Sequence, residues 1–211
     1  MQYGVSVYEG VDNNKFATDA YSDEDRDNRT KEAESAWLQS IAIKPTAITY
    51  RNLAVLETQR NNPEKAEEYY DLALTCKGAF DDFSLSAEYL GFLGKQNKKE
   101  KLWQIFESLP ENCKKADRVR ISAATAAVKL DQLDYLKEFF EEDHYAIREG
   151  ENSLTDIWFE FCARRMAKER GITCLTDEIL DQLIDEAWQT CPPDYKIDFR
   201  MSFNRTVKYR T

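Results

Sequence analysis

Small and aromatic residues recur at a fixed interval through the middle of this chain, and that recurrence limits the fold more than any other feature. From Tyr50, an aromatic is followed by the pair Leu53 and Ala54, then by Ala66, Tyr70 and Ala73. Thirty-three residues upstream of Ala66, Tyr70, Ala73 and Gly78 stand Ala33, Trp37, Ser40 and Pro45. An interval of this size marks a supersecondary unit that buries its apolar face against copies of itself. Within the unit, small residues at Ala54 and Ala66 let two helices approach closely, and Tyr50 and Tyr70 fill the space beside them. Asn61, Asn62 and Pro63 supply the turn, with Pro63 suited to the first turn of the second helix. Two further copies follow, the second of them weaker. One carries Ala87, Leu90 and Gly91 on its first helix and Leu102, Phe106 and Leu109 on its second, with a loop expected to be one residue shorter. The next carries Ala123, Ala124 and Ala127, then Leu136, Phe139 and Phe140.

This spacing resembles the tetratricopeptide repeat (TPR), an antiparallel helix pair recurring about every 34 residues. Glu57 departs from the pattern, standing where the repeat usually carries an aromatic. Beyond the repeats, Leu154, Ile157, Trp158, Phe161 and Met166 form one helical stripe, with Ser153 as N-cap, Asp156 completing a capping box and Gly171 as stop. Ile179, Leu180, Leu183, Ile184, Ala187 and Trp188 form another, capped by Thr176 and ended by Pro192 and Pro193. The final segment alternates Ile197, Phe199, Met201 and Phe203 with polar residues, the period of an extended arm. The fold expected is therefore all-α: an α-solenoid of TPR-like hairpins over residues 29–142, closed by two capping helices over 143–191. A polar lead-in (1–28) precedes the repeats, with YGVSVY as a candidate short strand, and an extended arm (192–211) follows the capping helices.

Composition agrees with helix and narrows the partners. Seven glycines and five prolines in 211 residues leave few of the tight turns a barrel, a sandwich or a Gly-rich nucleotide fold needs. Against 39 Asp and Glu there are 29 Lys and Arg, a net charge of −10, which argues against nucleic acid or an anionic membrane as partner. No apolar run is long enough to span a bilayer and the N-terminus lacks a secretory layout, so a cytoplasmic location is expected. Cys76, Cys113, Cys162, Cys174 and Cys191 include no CxxC pair and read as buried reduced thiols. With His144 the sole histidine, no His-based relay or His-rich zinc site can be assembled in one chain. No cofactor, metal or catalytic residue is expected.

Three stretches carry a narrower resemblance: PTAITYRNLA (45–54), IREGENSLTDIWFEF (147–161) and PPDYKIDFRMSF (192–203). Together they resemble the C-terminal TPR region of large bacterial proteins that carry an N-terminal, sugar-enzyme-like β domain of unknown function. The likeness implies a carbohydrate-metabolism setting and a covalently linked upstream domain that this chain lacks. It allows two functions: a non-catalytic scaffold for a protein or peptide partner or a neighbouring domain, or an accessory segment completing the active site of that absent domain.

Stacked repeats make a concave face where extended peptides lie. The residues expected to line it are Arg51, Asn52 and Val55 in one repeat, Glu88 and Phe92 in the next, and Ile121, Thr125 and Lys129 in the third. Arg51, Asn52 and Lys129 are a thin set for clamping a carboxylate, and Asn52 has a rival structural role in bonding backbone. Asp177, Asp181 and Asp185, one turn apart, and the run from Glu141 to His144 could attract a divalent cation, but solvated acidic faces are the commoner outcome. The basic arm, with Lys196, Arg200, Arg205, Lys208 and Arg210 against Asp198, suits docking on an acidic body.

Overall fold

A computed structural model of the chain describes residues 23–81, 83–142 and 153–193, and among these every regular element is an α-helix. The lead-in before residue 23, the turn at 147–152 and the arm beyond residue 193 lie outside the described residues. The chain divides into two compact units, Met1–Leu85 and Ser86–Thr211.

The first unit holds α1 (Asp23–Ile43), α2 (Ala47–Gln59) and α3 (Pro63–Thr75). The first of these begins within the segment expected as lead-in. Thr46 caps α2, its hydroxyl oxygen accepting from the Thr49 N–H at 3.2 Å, and Pro63 occupies the first turn of α3. α2 packs on both α1 and α3. Ala33, Ala54, Ala66 and Ala73 are fully buried, as the close-approach argument requires. Trp37, Leu53 and Leu56 form the core, with Val55 and Tyr69 packed against it, and Tyr50 stacks on Tyr69 at 6.2 Å.

Ser86 opens the second unit within the first turn of α4 (Ser84–Lys95); then come α5 (Lys99–Ser108), the single turn α6 (Glu111–Lys114), α7 (Asp117–Lys129), α8 (Leu133–Glu141), α9 (Ser153–Glu169) and α10 (Asp177–Thr190). α7 packs on α5, α8 and α9, and α9 on α10. A run of ring contacts links Trp103 and Phe106 to Tyr135, Tyr135 to Phe139, Phe139 to Phe140, and Phe140 to Trp158 and Phe161, with centroids 5.0–6.2 Å apart. Leu183, Ile184 and Ala187 close the core from α10, and Trp188 lies 4.6 Å from Phe159.

One turn recurs in both units. Asn61 (φ 57°), Asn97 (φ 55°) and Asp131 (φ 54°) follow α2, α4 and α7 in the left-handed region, and Gly171 (φ 68°) follows α9. At each the next N–H bonds back to the carbonyl five residues earlier: Asn62 to Glu57, Lys98 to Leu93, Gln132 to Ala127 and Ile172 to Ala167. This is the Schellman C-cap, and Asn and Asp tolerate its left-handed position better than other side-chain-bearing residues do. The connections at 60–62, 96–98 and 130–132 are equally long, so the shorter loop expected in the second copy is not seen. The Schellman cap with its left-handed residue sets all three to one length.

Candidate functional site

The expected groove residues fall three to the first unit and the rest to the second, and within each unit several have internal partners. Asn52 is buried, and its carbonyl oxygen accepts from Arg51 Nη1 at 3.2 Å. Val55 belongs to the margin of the first core. In the second unit Phe92 is buried with its ring 6.3 Å from Tyr89, Ile121 is buried, and Glu88 is half-buried. Thr125 is exposed and donates its hydroxyl to the Ile121 carbonyl at 3.0 Å. Lys129 donates to Glu160 Oε2 at 2.5 Å, so its charge is engaged by α9.

Among the described residues, Glu160 is one of two buried glutamates that organise the helix turns. Only 6% exposed, it also accepts from Arg164 Nε at 3.1 Å and Nη2 at 2.9 Å, while Arg164 Nη1 reaches Asp131 Oδ1 at 2.7 Å. Burial opposes the charge on Arg164, but its bonds to Asp131 and Glu160 outweigh that and hold the guanidinium above its ordinary range. Glu57, the departure from the repeat pattern, is 3% exposed and accepts from Arg60 at 3.1 Å, Asn62 at 2.9 Å and Lys65 at 3.4 Å. A polar side chain fits this position because the turn aims three donors at it.

Between α8 and α9, among the described residues, lies a cleft of about 380 Å³. Half-buried Phe140 and Trp158 and buried Phe161 form its floor, ending the ring series that begins at Trp103. Leu133, Asp134, Lys137 and Glu141 of α8 line one wall, and Arg165 and Lys168 of α9 the other. Arg165 lies over the Phe161 ring at 5.8 Å and pairs with Glu169 at 3.5 Å. At one end, Trp158 Nε1 donates to the Cys191 carbonyl at 2.9 Å, which fixes the indole and brings the end of α10 to the cleft.

The stripe Trp158–Phe161 and the pair Phe139–Phe140 are visible in the sequence as apolar faces, but they read there as core. The missed signal is chemical: Phe161, Arg165 and Lys168, at i, i+4 and i+7, put cations beside rings on one face.

Cysteine chemistry does not build a second site. All five are unbridged; Cys113 and Cys162 are buried, Cys76 and Cys191 half-buried and Cys174 exposed, so the expectation of uniformly buried thiols holds for only some of them. Helix ends explain the difference, since Cys76 and Cys191 are C-cap residues and Cys174 lies between α9 and α10. Burial, with neighbouring Cys191, pushes the Cys162 thiol up to about 12, leaving it protonated and inert at neutral pH. Among the described residues no three His, Cys, Asp or Glu side chains cluster as metal ligands. Asp177, Asp181 and Asp185 are exposed on α10, and Asp143 and His144 lie outside the described residues. No described helix is long and apolar enough to cross a membrane. Comparison with known protein families, with curated proteins and with solved structures finds no match to this chain.

Proposed function

We propose that this chain is a non-catalytic helical scaffold that holds a segment of a partner protein or adjoining domain. In this reading the hairpins stack as a short solenoid of TPR-like pairs and α9 with α10 closes its end. The observation that carries it is the α8–α9 cleft: half-buried Phe140 and Trp158 at its floor and cations on its walls are features that capture a peptide. Aromatic anchors supply most of the affinity in such contacts, whereas one exposed ion pair contributes only about 0–1 kcal/mol.

The test is selection of a displayed random-peptide library on the full chain, with affinities of the enriched peptides measured by fluorescence polarisation. Peptides seated in the cleft should lose at least tenfold in affinity to a Phe140→Ala/Lys168→Glu variant and keep it toward Arg51→Glu/Phe92→Ala. The opposite pattern would move the site to the face first expected from the repeats. Absence of any enriched peptide would remove the scaffold reading.

A further inference from the structure

The two walls of the α8–α9 cleft are charged differently. α9 lines it with cations alone, Arg165 and Lys168, whereas α8 contributes Lys137 beside Asp134 and Glu141. Three cations thus face two carboxylates in a chain whose net charge is −10. Other cations of the same unit are neutralised internally: Arg120 by Glu142 at 2.8 Å, Lys129 and Arg164 by Glu160, and Arg170 by Glu186. Lys137 and Lys168 are exposed and make no ion pair with any described residue. Arg165 is held over the Phe161 ring at 5.8 Å, which positions a guanidinium beside the apolar floor. We propose that the cleft takes a partner segment in which one large apolar side chain is accompanied by one carboxylate two or three residues away. This rests on the reading of the cleft as a peptide seat and adds which peptides it selects.

Spacing and charge set that pattern. Along α9, Arg165 stands one turn beyond Phe161 and Lys168 nearly two, rises of about 6 and 10.5 Å. An extended segment advances about 7 Å over two residues and about 10 Å over three. An anchor on the rings therefore brings a carboxylate at either offset to a cation, and at two residues both side chains leave the same face of the strand. Trp158 is fixed by its bond to the Cys191 carbonyl, so part of the apolar surface is ordered before anything binds. Asp134 and Glu141 also make no ion pair with any described residue. They repel further carboxylates on the α8 side, which limits how acidic the segment can be. The negative charge of the chain as a whole is screened over about 8–10 Å at physiological salt, whereas a carboxylate in the cleft would touch its cations.

The experiment offers the full chain a displayed library with Phe or Trp fixed at its centre and the flanking positions drawn from Ala, Gln, Lys and Glu. Enriched peptides and their charge-swapped versions are then measured by fluorescence polarisation. Glu two or three residues from the anchor should be enriched, and such a peptide should bind at least about fivefold more tightly than its Lys version. Arg165→Gln/Lys168→Gln should bring that ratio below about twofold while anchor-dependent binding persists. Asp134→Asn/Glu141→Gln should instead raise affinity for the Glu peptide severalfold. All four side chains are exposed, and changes of opposite sign cannot both come from unfolding. Peptides that need the anchor but bind equally well with Glu, Gln or Lys would overturn this proposal and leave the scaffold reading standing. A preference for Lys would do the same and assign the cleft to a basic partner. Failure of every library member to bind would remove both. A dimer in sedimentation that the peptides dissociate would seat a second copy of the chain in the cleft and overturn the choice of partner.

Discussion

Glu57 in the first unit and Glu160 in the second are both buried acceptors beside a Schellman-capped turn, yet their donors come from different places. Every donor to Glu57 lies on its own hairpin: Arg60 and Asn62 in the turn and Lys65 in the first turn of α3. Glu160 accepts from Arg164 one turn along α9 and from Lys129 at the end of α7, and Arg164 continues to Asp131, the left-handed residue of the α7–α8 turn. In the first case the carboxylate stiffens one hairpin. In the second it fastens a hairpin to the helix that follows it. The backbone turn is the same in both, so the buried charge decides what the turn is tied to.

The largest effects should come from the aromatic anchors on which both units depend. Tyr70 is 2% exposed, and Phe106, 6% exposed, has its ring 5.4 Å from both Trp103 and Tyr135. Truncating either to Ala should cost about 3–5 kcal/mol in urea unfolding, whereas Arg51→Ala should cost under about 0.5 kcal/mol. Small, equal effects at all three would mean that neither unit is held together by these rings.

Next in size is the contrast between the two glutamates. Replacing Glu160 with Met leaves the Arg164 side chain, only 12% exposed, with Asp131 as its one remaining partner, and should cost about 3 kcal/mol. Glu57→Met should stay within about 1 kcal/mol of wild type, because Arg60 and Lys65 are 39% and 45% exposed and water replaces their bonds. Equal losses in chemical denaturation would show that the source of the donors does not matter.

The turn residue itself sharpens the same comparison. Asn61→Gly and Asn97→Gly relieve the left-handed position and should stabilise by up to about 1 kcal/mol. Asp131→Gly gains the same relief but loses the Arg164 bond, and should be neutral or destabilising. Thermal melts of the three variants decide this, and a uniform gain would remove Asp131 from the α7–α9 connection.

How much of this was legible in the sequence follows from which forces act locally. Helix positions, the Thr176 cap, the Gly171 stop and the small-residue seams at Ala54 and Ala66 were visible because they depend on neighbours within one or two turns. The Glu57 departure was also visible, but not its resolution. A lone glutamate at an aromatic position looks like lost packing until Asn62 and Lys65 are seen folding back on it, and that depends on the left-handed turn at Asn61. Lys129 was expected on an open face, and its partner lies 31 residues away on a helix whose placement no local pattern specifies. The cleft was hidden for the same reason: Phe140 and Trp158 each sit on an ordinary apolar stripe, and no local pattern shows that their rings meet edge-on, 5.0 Å apart, where α8 meets α9.

The smallest effect tests the one connection by which the first unit resembles the second. Arg60 extends beyond Glu57 to Glu34 of α1, with both guanidinium nitrogens on the carboxylate at 2.7 and 2.6 Å. The Arg60 hydrogen bond outweighs the opposing effect of burial and holds the Glu34 carboxyl below its ordinary value of 4.5. A carboxyl depressed in the folded state binds protons less readily there than in the unfolded chain. Its stabilisation is therefore present above about pH 5 and disappears as the pH falls through the folded-state value. Because Arg60 is 39% exposed, solvent screening keeps the contribution near 0.5 kcal/mol. Glu34→Gln should thus melt slightly below wild type at pH 7, and the gap should close as the pH falls into acid. A gap that persists in acid would assign the loss to packing between α1 and α2, leaving Glu160 as the only one of the two buried glutamates joined through an ionic chain to another helix pair.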